Sequence, residues 1–155
     1  MLAAVFKRKD VLEVEDRQEP KNLAGDEVLL EIEGAGVCGS DLHILSDPST
    51  FRAKEGVILG HEMVARIVDL GRGVTDFETG TRVIVDPNLK CGLCSFCRKG
   101  LPNQCKNGTT IGIHLDGAFA RLSRCAMEQG RRAVHGSSSP LNEGRAILLR
   151  HPFSK

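Results

Sequence analysis

The stretch "KCGLCSFCRKGLPNQCKNG", residues 90–108, places four of the chain's six cysteines within fifteen positions. Cys91, Cys94, Cys97 and Cys105 follow the spacing C-x2-C-x2-C-x7-C. Two-residue gaps let successive side chains turn back toward one centre, and four soft thiolates converging tetrahedrally make a closed zinc site. Lys90, Arg98, Lys99 and Lys106 surround them and offset the net negative charge of such a centre. Three readings compete: unrelated buried thiols, an iron–sulfur cluster and structural zinc. The bacterial ferredoxin run places its fourth cysteine after three residues and follows it with proline. Here the gap is seven and Lys106 follows. Structural zinc is the expectation. The segment is rich in glycine, proline and asparagine and poor in apolar side chains, so the metal is what would keep it ordered.

The rest of the chain frames that lobe. At 155 residues and 41% hydrophobic content, it has room for one domain with a real core, plus a tail. With 21 basic against 20 acidic residues, no field exists to draw it to nucleic acid or to an anionic membrane, and small neutral partners are expected. No apolar run approaches the roughly 18 residues of a membrane helix. The opening "MLAAVFKRKD" has too short an apolar stretch before its charges for a signal peptide. A cytoplasmic chain is expected, and in that reducing compartment dense cysteines read as metal ligands rather than a disulfide framework.

Short β-branched runs between glycines read as strands: "EVLLEIEGAGV" at 27–37, "EMVARIVDLG" at 62–71 and "TRVIVD" at 81–86. One short helix is predicted at "SDLHIL", residues 40–45. The implied domain is mostly β, largely antiparallel, with short helices. From Arg121 the texture changes to an Arg- and Ser-rich segment without alternation, which reads as a linker or tail over 121–155.

A second constellation lies in "GAGVCGSDLHIL" at 34–45 and "GHEMVARIVDLG" at 60–71. Cys38, His61 and Glu62 are a thiolate, an imidazole and a carboxylate, the mixed set of a catalytic zinc with one position left open. On spacing alone, a buried cysteine and a hydrogen-bonded histidine remain the favoured reading of the same residues. Ser40 reads equally as a helix N-cap, His43 as a surface residue, and His114 and Asp116 as loop residues.

The order G-x-C-G-S-D-x-H, G-H-E, "VDLGRGVTDFETGTRVIV", the four-cysteine lobe and "GAFA" closely resembles the zinc-dependent medium-chain alcohol and polyol dehydrogenases, over residues 1–120. The resemblance is to their N-terminal GroES-like catalytic domain, and implies a partly open β-barrel carrying a zinc-bound lobe. It implies two zincs: Cys38, His61 and Glu62 hold the catalytic ion, and Cys91, Cys94, Cys97 and Cys105 the structural one. Ser40 would hydrogen-bond the substrate alcohol, His43 would relay its proton to solvent, and Asp41 would orient the ligating imidazole. The activity implied is oxidation of a secondary alcohol or diol by NAD or NADP. Dimers or tetramers are usual in the family.

The resemblance also demands a Rossmann domain whose first βα turn carries G-x-G-x-x-G; after the lobe, "GIHLDG" is no such fingerprint and no βαβ unit follows. Family members are more than twice this length, and residues 122–155 bear no resemblance to their continuation. Codons compatible with Arg121 to Gln129, read one base later, can encode an acidic residue, Tyr and then Val-Pro, so a frameshifted tail is an expectation. A chain without the coenzyme domain is expected to turn over no alcohol by itself. The alternative function is a freestanding zinc-binding module for protein contacts or assembly; a metal-storage role is disfavoured by the sparse, unlike cysteine sites.

Overall fold

The computed structural model describes residues 1–47 and 52–126 and the backbone of 134–136. The chain opens with a hairpin, β1 (Leu2–Arg8) and β2 (Val11–Asp16), turned at Asp10 with φ of 59°, a conformation aspartate tolerates. There follow β3 (Glu27–Gly36), α1 (Gly39–Ser46), β4 (Glu62–Leu70), β5 (Arg82–Val85) and β6 (Asn88–Leu89). The lobe carries α2 (Ser95–Arg98) and closes at β7 (Thr109–Thr110); β8 (Leu122–Ala126) and β9 (Val134–Gly136) complete the described chain. The main sheet runs β8-β3-β4-β5-β9, antiparallel throughout. The fold is mostly β with short helices, as the sequence implied.

Period-two patterning explains the sheet. Val28 and Leu30 of β3, Met63, Ala65 and Ile67 of β4, and Val83 and Val85 of β5 point to one face and form the main core with Leu89, Ile111, Ala118 and Cys125. The intervening residues face outward, where Glu33 bridges Arg66 and Arg82 at 2.6 Å each. A second cluster of Phe6, Ile44, Val57 and Leu59 seats α1 against β1.

Beyond β3, β4 and β5 the sequence singled out no strand, and two of the missed regions show why. In β1, Val5 and Phe6 are adjacent yet both buried, because Val5 faces Ile58 while Phe6 joins the α1 cluster, and this erases the alternation. The other region lies past residue 120. There β8, with Leu122, Ser123 and Cys125 buried, pairs with β3 from Glu27 to Glu31, and β9 pairs with β5. Pairing with a strongly patterned neighbour recruits "LSRCA" despite its weak pattern. The remainder of the expected tail, 127–133 and 137–155, lies outside the described residues. Among the described residues, no helix is long and apolar enough to cross a membrane.

Leu30 is fully buried at the centre of the sheet. Leu30→Ala is expected to cost about 2–5 kcal/mol in urea unfolding. Val14→Ala, at a residue 72% exposed, is expected to stay within about 0.5 kcal/mol.

Candidate metal centres

The pairing of β3 with β4 brings the two halves of the first centre together. Their register ends on Gly36 opposite Glu62, so the chain leaving β3 toward Cys38 and the chain entering β4 at His61 are neighbours. The ligand atoms of Cys38, His61 and Glu62 lie within 4.8 Å of one another. Cys38 and His61 are half-buried and Glu62 is exposed, which leaves the cluster open on one side.

His61 is held from its N-terminal side by a crowded backbone junction. Gly60 has φ of +95°, and a β-carbon there would lie 2.6 Å from the Phe119 ring. The Gly60 carbonyl accepts the Ala118 N–H at 2.9 Å and sits where β-carbons on Gly112 or Gly117 would fall. The "GAFA" segment thus sets where His61 enters the site.

Cys38 precedes α1, and Asp41 in the first turn of that helix ties both ligands. One Asp41 oxygen accepts the Cys38 backbone N–H at 2.9 Å. The other faces His61 Nδ1 at 3.5 Å, and these two buried atoms, Asp41 Oδ1 and His61 Nδ1, have no hydrogen-bond partner among the described residues. A carboxyl group 2% exposed is costly to bury unless its oxygens are paired. An imidazole carrying its proton on Nδ1 answers that need and leaves Nε2 as the lone-pair nitrogen. The donor set therefore fits a divalent metal on Nε2.

Ser40 Oγ lies 3.1 Å from His61 Nε2, the nitrogen that would hold such a metal. His43 is three residues further along α1, exposed to solvent. His114 and Asp116 are outside this group: His114 Nδ1 accepts the Thr110 N–H and Asp116 accepts the Ile58 N–H, each at 3.0 Å. Both organise loops. Gly36 was missed by sequence reasoning as a contributor. A β-carbon there would collide with Glu62 Oε2; the signal was its place two residues before Cys38 and in register with Glu62.

The second centre is the cysteine lobe. Its neck is the β6–β7 pairing, Asn88 with Thr110 and Leu89 with Thr109, and Leu89 anchors it in the main core. Between the strands, over residues 90–108, Cys97 alone is fully buried, so the lobe's interior is made of sulfur. The four sulfurs lie within 4.8 Å of one another, with Cys91 and Cys105 Sγ 3.4 Å apart. The backbone N–H groups of Cys97 and Lys106 hold the Cys94 thiol down to about 6. Burial, then the neighbouring thiols, push Cys97 up to about 12. Opposed shifts are what close-packed thiols must show when only some can ionise, and a dication is the group that would let all four do so. A polar cavity of about 850 Å³ between the β2–β3 connection and β8 contains none of the residues of either centre.

Comparison with known proteins agrees with this architecture. Residues 24–134 match the family described as "Alcohol dehydrogenase GroES-like domain". L-threonine 3-dehydrogenase of Xanthomonas oryzae pv. oryzae is 43% identical over 97 residues, covering 61% of this chain and 28% of that protein. Galactitol-1-phosphate dehydrogenase of Escherichia coli superposes with a TM-score of 0.77 at 31% identity, covering 88% of this chain and 38% of that one. A Sinorhizobium meliloti protein solved with NADP bound gives 0.79 at 32%, covering 87% and 37%. The chain spans under a third of the length of the threonine dehydrogenases it matches. It belongs to the alcohol dehydrogenase GroES-like domain family, the catalytic-domain family of the zinc-type medium-chain dehydrogenases.

Proposed function

We propose that the chain is the metal-binding part of a dehydrogenase that oxidises a secondary alcohol or diol, with NAD or NADP as hydride acceptor. The observation that carries this reading is the convergence of Cys38, His61 and Glu62 backed by Asp41. Three unlike protein ligands on an open face are the donor set of a catalytic rather than a structural zinc. Four cysteines in a closed lobe are the opposite case, and would hold the second ion for shape alone.

Cys38 Sγ, His61 Nε2 and Glu62 would hold the catalytic ion. When bound, zinc lowers the pKa of a coordinated hydroxyl toward neutrality. Asp41 keeps the Nδ1 proton of His61 in place and fixes the ring, so Nε2 stays turned to the centre. Ser40 is the hydroxyl positioned to accept the substrate's proton, and His43, three residues along the helix and in water, is the group to pass it out. The threonine 3-dehydrogenase and galactitol-1-phosphate dehydrogenase relatives support an alcohol with polar neighbours, such as an amino alcohol or a sugar alcohol. The string "GAGVCG" at 34–39 lies at the end of a strand of an antiparallel sheet and not in the parallel βαβ unit that cradles a dinucleotide, so this chain by itself is expected to reduce no coenzyme.

Metal analysis of the purified chain is expected to find two zincs. Cys94→Ala should remove one and unfold the lobe, and His61→Ala should remove only the other; retention of both ions in either variant would overturn the assignment. Stripping the metals with a chelator should unfold the lobe and open Cys91, Cys94, Cys97 and Cys105 together to a thiol alkylating reagent, while Cys125, 1% exposed in the main core, should stay protected.

A further inference from the structure

Gly36 is the last residue of β3 and faces Glu62, the first residue of β4. A β-carbon built on Gly36 would overlap Glu62 Oε2, and would lie 3.2 Å from Glu62 Cβ and 3.5 Å from Glu62 Cδ. Gly36 is not among the glycines with positive φ, so its backbone would accept any residue. Only the space above it asks for glycine. That space holds the carboxylate which, with Cys38 and His61, forms the three-ligand cluster. Gly34, two residues earlier on the same strand, has nothing within 4 Å of its own missing β-carbon.

We infer that Gly36 is the positioning residue that makes Glu62 a metal ligand: the missing β-carbon is the seat of the Glu62 carboxylate. The inference rests on the proposed Cys38–His61–Glu62 centre. Glu62 is exposed, so a side chain at position 36 displaces its carboxylate outward into water at little cost and leaves two protein ligands in place of three. A single methyl group on β3 would thereby change the coordination of an ion it does not touch.

Cobalt(II) reports this directly, because its d–d bands respond to the number and type of ligands, and the much stronger charge transfer of a four-thiolate ion marks the lobe over the single Cys38 thiolate of the first centre. The full chain would be titrated with cobalt as wild type, Gly36→Ala, Gly34→Ala and Glu62→Gln. Wild type and Gly34→Ala are expected to bind two ions with one shared spectrum. Gly36→Ala should match Glu62→Gln in its d–d bands and bind the second ion about 10- to 100-fold more weakly, the range for losing a group that orients a ligand. The lobe bands should be unchanged in all four. A Gly36→Ala spectrum and affinity equal to wild type would overturn the inference while leaving the centre intact. If Glu62→Gln is also indistinguishable from wild type, Glu62 is no ligand and the inference falls. A wild-type chain that binds one cobalt ion, in the lobe alone, would overturn the proposed centre and the inference with it. Should Gly36→Ala lose the lobe bands by misfolding, Gly36→Ala/Glu62→Ala removes the clashing carboxylate. It is expected to restore those bands and show the d–d spectrum of Glu62→Ala; failure to restore them would equally overturn the role.

Discussion

Everything in the first centre depends on the pairing of β3 with β4. The two strands run antiparallel from Val28 opposite Leu70 to Gly36 opposite Glu62, with register shifts after Leu29 and after Ile32. Their inward residues make the centre of the hydrophobic core, and burial of that face fixes the register, since a slip by one residue would turn Leu30 and Ile67 to water. The same register decides which residues meet where the pairing ends. A core of ordinary aliphatic side chains thus sets the spacing of a cysteine and a histidine that are 23 positions apart in sequence. Stability and site geometry are consequences of one pairing.

Around that pairing, polar groups are used sparingly and in pairs. Asp41 is one of two buried polar or charged residues among those described; one of its oxygens accepts the Cys38 N–H and the other faces the His61 ring. The outward face of the sheet is held differently, by Glu33 between two arginines in reach of water, where such contacts contribute little each. The contrast is informative: a carboxylate is buried where it faces the His61 ring, and left at the surface where it only joins strands.

Much of this was legible in the sequence because the residues concerned advertise themselves. Cysteines at two-residue gaps, a G-H-E triplet and alternating β-branched runs each have a physical reason to be where they are, and β3, β4, β5 and α1 emerge within a residue or two of where the pattern put them. The rest was hidden for reasons of context. Val5 and Phe6 are both buried because the hairpin is packed from two sides, so period two fails there. "LSRCA" becomes a strand because β3 offers it an edge, a property of the partner and not of the segment. The duties of Gly36 and Gly60 are defined by atoms of Glu62 and Phe119 that approach from elsewhere in the chain, and a residue with no side chain carries no mark of what it makes room for.

The neck of the cysteine lobe has a consequence for the history such a domain can have. Residues 90–108 leave and return through two adjacent two-residue strands, with Asn88 beside Thr110 and Leu89 beside Thr109. To the sheet, the whole excursion is the tip of a hairpin. Its internal order would come from sulfur and metal rather than from apolar contact with the body, so its length and content are nearly independent variables. Closing a longer or shorter loop across the same neck changes the chain-entropy cost only slowly. Such an appendage can be trimmed, enlarged or exchanged between proteins as a unit, and the machinery assembled at the end of β3 would be left standing.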